Sequence, residues 1–177
     1  LVLPLLRSVT TADSRLVIAF LLVAVNVVAA IVCALNVARL ALRFTGRRLA
    51  ASAAAVFFLS TNTVLNYSRS GTPYLPGLAC VTISLVLMVD FGSRRLHSAF
   101  AGLLAGVAVL FWLPYIFLLP AIGLASLIAG DRDPGAAFRR SVLPCACAAV
   151  LLAGLAYAFA LRQNHIGTWG EMSRWVS

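Results

Sequence analysis

The chain consists of apolar runs separated by short breaks that carry arginine. A membrane-spanning helix needs about 20 apolar residues, because a helix rises 1.5 Å per residue and the hydrocarbon core is about 30 Å thick. Six runs approach this length: residues 16–38, 49–65, 74–90, 98–112, 115–129 and 141–161. We therefore predict an all-α, polytopic membrane helix bundle that forms a single transmembrane domain over residues 1–177.

The overall composition supports a membrane protein and argues against a soluble domain. Apolar residues make up 62% of the chain and charged residues 11%, whereas soluble domains average about 45–50% and about 25%. The net charge of +9 comes from 14 basic residues, all of them arginine, which are spread over short loops. Because this pattern lacks the clustered basic face of a nucleic-acid binder, we expect the lipid bilayer as a partner and no nucleic acid.

The apolar stretch over residues 98–129 predicts two short helices instead of one. A single helix would be about 48 Å long, which exceeds the thickness of the whole bilayer. We therefore expect a hairpin that turns near residues 112–115, with Trp112 and Tyr115 at the outer interface. The spacing of Gly102 and Gly106 predicts a close helix–helix contact before this turn.

The distribution of arginine predicts the orientation of the six spans, because basic loops stay in the cytoplasm. Nine arginines fall on the inner side: Arg39, Arg43, Arg47, Arg48, Arg94, Arg95, Arg132, Arg139 and Arg140. Five fall on the outer side: Arg7, Arg15, Arg69, Arg162 and Arg174. Both ends of residues 1–177 are then extracytoplasmic, and we expect a further helix and loop before Leu1.

Residues 66–74 form a polar loop between the second and third spans, and they carry the best candidates for a binding site. Arg69 can bind a lipid phosphate through its charge and its paired donors. Tyr67 and Tyr74 can line a pocket for a sugar or a prenyl chain. The alternatives are a lipid-headgroup contact for Arg69 and anchoring at the membrane interface for the tyrosines.

The remaining polar candidates have weaker patterns. Asn62 and Asn66 can hydrogen-bond a sugar, or they can cap a helix end or hydrogen-bond to a neighbouring helix. Asp13 is a candidate general base, although its position just before the first span is typical of a helix start. Asp90 lies four residues before Arg94, which predicts a local ion pair between them. We expect no buried acidic residue inside any span, and this disfavours a cation-coupled transporter.

The order of these features resembles the GT-C-fold glycosyltransferases, polyprenyl-phosphate-sugar-dependent membrane enzymes that include protein mannosyltransferases and aminoarabinose transferases. The resemblance covers about residues 16–129. It rests on a basic turn entering an Ala-rich helix, an outer tyrosine- and arginine-bearing loop, and a Gly-rich helix before a proline-broken hairpin. The matching segments are Ala38-Arg39-Leu40, residues 44–50, Tyr67-Ser68-Arg69, Pro73-Tyr74, residues 101–110 and residues 112–120.

The resemblance implies a GT-C-like fold that transfers a sugar from a polyprenyl-phosphate donor on the extracytoplasmic side. Arg69 would hold the phosphate, with Tyr67, Tyr74, Asn62 and Asn66 around the sugar. The family's catalytic carboxylate lies in its first extracytoplasmic loop, which would precede Leu1. The acceptor and any assisting divalent metal stay open.

Two expectations complete the sequence-based account. The absence of lysine is typical of GC-rich genomes, and with the resemblance it favours the plasma membrane of a bacterial cell envelope.

The alternative function is noncatalytic, as half of a transporter or lipid carrier or as an assembly subunit. That alternative is based on the lack of a carboxylate in a catalytic setting.

Overall fold

The computed structural model describes residues 11–70, 72–91, 94–129, 134–163 and 168, and all regular structure in these ranges is helical. The α-helices are α1 Thr11–Thr45, α2 Arg48–Ser60, α3 Asn62–Arg69, α4 Tyr74–Phe91, α5 Arg95–Phe111, α6 Leu119–Ala129, α7 Pro134–Ala137 and α8 Leu143–Gln163. A 3-10 helix, Leu113–Leu118, precedes α6, and a π-helical turn, Phe138–Val142, joins α7 to α8. The prediction of an all-α fold is confirmed for this part of the chain.

Several helices are long and apolar enough to cross a membrane, as an integral membrane protein requires. Among the described residues these are Leu16–Thr45, Tyr74–Phe91 and Gly135–Gln163, and α2 with α3 make a fourth if the pair is one bent span. The apolar helices Arg95–Phe111 and Leu113–Ala125 are shorter. Of the arginines used to assign orientation, Arg7, Arg132 and Arg174 lie outside the described residues.

The run predicted as one span over residues 49–65 is broken into two helices that meet at 57°. Thr61 has an extended backbone, and its hydroxyl accepts the Val64 N–H at the start of α3. A threonine in this position favours a new helix start, because its side chain satisfies a backbone donor that lacks a partner within the helix. Because of this break, α3 points in a different direction from α2 at this end of the bundle.

Helix α4 packs between α1 and α5 and is joined to both by buried polar contacts. The Ser84 hydroxyl donates to the Ala101 carbonyl oxygen at 2.7 Å, which fastens α4 to α5. The Asn36 amide donates to the Thr82 hydroxyl at 3.2 Å, which fastens α1 to α4. Each such bond stabilises a membrane protein by only about 0.6 kcal/mol. The two bonds therefore fix the alignment of neighbouring helices more than they add to the stability of the fold.

The expected ion pair between Asp90 and Arg94 is absent from the described residues, and Asp90 pairs with Arg39 instead. The Arg39 Nε lies 2.7 Å from Asp90 Oδ2. Helices α1 and α4 run parallel, which brings Arg39 beside the last turn of α4. Because α4 ends at Phe91, Asp90 and Arg94 do not share the helical turn that an i, i+4 pair requires.

Helices α5 and α8 run parallel and approach closely at two glycines. A Cβ atom on Gly102 would collide with the Cys145 carbonyl group, and one on Gly106 would lie 3.1 Å from the Ala149 carbonyl oxygen. The glycines therefore allow backbone-to-backbone contact, as their four-residue spacing predicts. We call the bundle end near Arg39, Arg94 and Arg139 the arginine end.

Candidate functional site at an aromatic cavity

Four aromatic side chains from separate parts of the chain meet at the opposite end of the bundle, which we call the aromatic end. The rings of Tyr67 in α3 and Tyr74 in α4 stack at 4.5 Å. The Trp112 ring meets the Tyr74 ring in an edge-type contact with centroids 5.0 Å apart, and it lies 5.4 Å from the Tyr115 ring. These separations fall in the range where aromatic pairs attract each other beyond simple burial. We call Tyr67, Tyr74, Trp112 and Tyr115 the aromatic cluster.

Tyr115 connects the aromatic cluster to α4 through a hydrogen bond and a ring contact. Its side chain is buried, and its hydroxyl donates to the Tyr74 carbonyl oxygen at 2.7 Å. Its ring lies against Gly77, where an added Cβ would be only 2.5 Å from the ring. The glycine one turn into α4 therefore provides the space that lets the 3-10 helix dock on α4.

The cluster borders an open cavity of about 250 Å³. Its lining residues are Tyr67, Thr72, Pro73, Tyr74 and Trp112. Most small-molecule sites occupy roughly 300–1,000 Å³, so this cavity suits one compact group better than a whole extended ligand. Its walls are aromatic and apolar, with a few hydroxyl groups.

The structure joins some of the sequence-predicted residues and separates others. Tyr67 and Tyr74 form one wall together, as a shared pocket requires. Asn62, Asn66 and Arg69 instead form an exposed stripe along α3, at the spacing i, i+4 and i+7. The Asn66 amide donates to the Asn62 side-chain oxygen at 3.1 Å, which is a bond within α3 and neither a helix cap nor a bond between helices. Arg69 is exposed and makes no ion pair with any described residue.

Asn26 is a site residue that sequence reasoning missed. It lies in the middle of α1, is 2% exposed, and donates its amide N–H to the Ser70 carbonyl oxygen. The Ser70 hydroxyl in turn lies 2.8 Å from that of Thr72, which lines the cavity. Asn26 therefore holds Ser70 in place against α1, and Ser70 contacts Thr72. The available signal was an amide in the centre of an apolar span, since polar groups there usually join helices.

The acidic residues give no catalytic group at the cavity among the described side chains. Asp90 lies at the arginine end, about 24 Å along α4 from Tyr74. Asp13 lies in the first turn of α1, and its side chain is outside the described residues.

The described residues bring no group of three or more His, Cys, Asp or Glu side chains together. The cavity lining offers aromatic rings and hydroxyls without a carboxylate, and this donor set does not fit a divalent cation. We derive no step through a metal.

The arrangement provides flat apolar surfaces at the cavity, and the cation Arg69 ends the helix that contributes Tyr67 but is not among the lining residues. Aromatic rings can pack against the C–H faces of a sugar or against an isoprenoid unit, and an exposed guanidinium can bind a phosphate through paired hydrogen bonds. Both groups stand at the end of a bundle with apolar sides. No protein-family model, curated protein or solved structure matches this chain.

Proposed function

We propose that this chain is the membrane core of a GT-C-like glycosyltransferase and that its aromatic cavity receives a polyprenyl-phosphate-linked sugar. One observation carries the proposal: Tyr67, Tyr74 and Trp112 line one compact open cavity, and Arg69 ends the helix that contributes Tyr67. The rings would hold the sugar or the first isoprenoid unit, and Arg69 would bind the phosphate. Asn62 and Asn66 share a face with Arg69 and would contact the donor from the same side.

The helix directions support the six-span arrangement that this function needs. Helices α1 and α4 run parallel, α5 runs back against α4, and α6 runs against α8. The six passes would be α1, α2 with α3, α4, α5, the 3-10 helix with α6, and α7 with α8. Helix α5 is about 26 Å long, so the bilayer would thin locally around it.

In this arrangement the arginine end faces the cytoplasm of a bacterial cell, because basic loops remain on that side. The aromatic end and both termini are then extracytoplasmic. The donor would enter sideways from the bilayer, and transfer would occur on the outer side. The catalytic base is assigned to a carboxylate outside the described side chains, with Asp13 as the candidate within residues 1–177.

A noncatalytic function is the second candidate, and one observation favours it. The described side chains around the cavity include no carboxylate that could deprotonate an acceptor. A lipid carrier or an assembly subunit needs only to bind the lipid phosphate. Sugar transfer from a labelled donor separates the two functions, since a carrier binds the donor without turnover.

Replacing Arg69 with glutamine tests the assignment of the phosphate. We expect Arg69→Gln to weaken the binding of a short-chain polyprenyl phosphate by roughly 10- to 100-fold, because a hydrogen bond to a charged group contributes about 1.5–3 kcal/mol. Isothermal titration calorimetry of the whole chain in detergent measures this loss.

Arg162→Gln is the matched control for this experiment. Arg162 is also exposed, and it lies in the last turn of α8, which runs toward the aromatic end. We expect this variant to stay within about twofold of the unmodified chain, since an exposed charge away from the ligand contributes little. Equal losses in the two variants would reject Arg69 as the phosphate ligand, and no binding by the unmodified chain would favour an assembly subunit.

A further inference from the structure

A larger apolar groove lies away from the aromatic cavity, where α6 faces the π-helical turn and the start of α8. Its volume is about 530 Å³, and its walls are almost wholly apolar. The lining includes Leu119, Gly123 and Leu127 from one side and Phe138, Val142 and Ala146 from the other. Gly123 keeps the groove open, since only a Val142 methyl group, at 3.4 Å, approaches the place where its Cβ would be.

The groove continues along the bundle toward the aromatic end. A neighbouring cavity of about 260 Å³ shares Ile116 and Leu119 with it and extends to Ala153 and Tyr157 in α8. From Phe138 to Ala153 the helix rises about 22 Å, which exceeds the roughly 15 Å depth of one leaflet of the hydrocarbon core, so the track is long enough for an acyl chain. The π-helical turn lies at the start of this track, and such turns are common at functional sites.

The groove reaches Phe138 at the arginine end of the bundle, although no arginine is among its lining residues. Arg139 and Arg140 directly follow Phe138, and both are exposed. Arg94 and Arg95 begin α5 at the same level, because Gly102 packs on Cys145 and the two helices run parallel. Asp90, the described carboxylate at this end, is paired with Arg39. Residues 130–133 carry two aspartates and one arginine and lie outside the described residues.

We propose that this groove is a binding site for an anionic phospholipid. One acyl chain would lie against Gly123 and Val142, and the phosphate would bind Arg139 and Arg140. The apolar walls exclude a polar ligand, and the basic mouth favours a negatively charged headgroup over a zwitterionic one. The proposal does not depend on the proposed sugar transfer, because its phosphate contact lies at the arginine end of the bundle, opposite the aromatic cavity.

Native mass spectrometry of the whole chain in detergent tests this proposal with two lipids of equal chain length, phosphatidylglycerol and phosphatidylcholine. Two arginines near a headgroup should make phosphatidylglycerol bind roughly tenfold more tightly or better. The double variant Arg139→Gln/Arg140→Gln should lose most of this preference, although Arg94 and Arg95 remain at the same level. The control Arg47→Gln/Arg48→Gln removes the same charge from the exposed turn between α1 and α2 and should keep the preference. If the control variant lost the preference for phosphatidylglycerol to the same extent, the proposal would be overturned. The preference would then come from the overall positive charge of the chain and not from this groove.

The acyl-chain contact is tested without any variant by shortening the lipid. Phosphatidylglycerol with eight-carbon chains should bind at least tenfold more weakly than the long-chain form, because each buried CH₂ contributes about 0.8 kcal/mol. The variant Gly123→Leu should weaken both long-chain lipids by filling the groove. Binding that is independent of chain length would overturn the proposal. The proposal would also be overturned if the unmodified chain formed a dimer that dissociates in the Gly123→Leu variant. A second copy of the chain would then cover the groove.

Discussion

Replacing Gly102 with alanine is expected to destabilise the bundle by about 2 kcal/mol or more, although alanine is the better helix former. The added Cβ would lie 2.8 Å from the Cys145 carbonyl carbon, and both sides of this contact are backbone. No side-chain rotation can relieve it, so α5 and α8 must separate along the contact that also includes Gly106. Thermal unfolding in detergent, followed by circular dichroism, measures the loss.

The other glycines in the same helix pair give a graded control series. Gly106→Ala should cost less, because its Cβ would lie 3.1 Å from the nearest atom, the Ala149 carbonyl oxygen. Gly154→Ala should be neutral or stabilise by about 0.5–1 kcal/mol, since nothing lies within 4 Å of its Cβ position. If all three variants had the same melting temperature, the close α5–α8 contact would be wrong.

Replacing Tyr74 with alanine is expected to cost about 2–4 kcal/mol and to remove donor binding. Tyr74 is the centre of the aromatic cluster, within 4.5 Å of the Tyr67 ring, 5.0 Å of Trp112 and 5.9 Å of Tyr115. Each aromatic pair contributes about 0.5–1.5 kcal/mol beyond burial, and all three pairs are lost together. The same unfolding assay measures the stability, and calorimetry with a short-chain polyprenyl phosphate measures the binding.

Tyr74→Phe is the matched control, because it keeps the ring and the backbone carbonyl that accepts the Tyr115 hydroxyl. We expect this variant to retain the stability of the unmodified chain within about 1 kcal/mol and most of its affinity. A Tyr74→Ala variant that stayed stable and bound ligand normally would show that the cluster does not form the site.

The sequence predicted the helices better than it predicted their ends. An apolar run is visible directly in the sequence, whereas the residue at which a helix ends depends on its capping interactions. The first span was placed at residues 16–38, on the assumption that it ends before Arg39. The helix continues to Thr45, since arginine is a good helix former outside the hydrocarbon core. It stops at Gly46, whose φ of +66° is a left-handed conformation that glycine adopts without strain.

The aromatic cavity was predicted in part. Tyr67 and Tyr74 are close in sequence, so one loop offered them as lining of a shared pocket, with anchoring at the membrane interface as the alternative. Trp112 was expected only as an interface residue, because its contact with Tyr74 depends on how α5 packs against α4. The Arg39–Asp90 ion pair and the hydrogen bond from Asn26 to Ser70 also depend on helix packing. The sequence therefore did not predict them. Contacts between distant helices require a register that the pattern of apolar residues does not specify.

Photo-crosslinking with a polyprenyl-phosphate sugar that carries a diazirine on its first isoprenoid unit tests the central claim most directly. The chain is labelled in detergent, and the modified residues are mapped by mass spectrometry. We expect labels on Tyr67, Tyr74 and Trp112 that excess unlabelled polyprenyl phosphate removes. Labels confined to the exposed apolar face of α1, or labels that the competitor leaves unchanged, would contradict a donor site at the aromatic cavity.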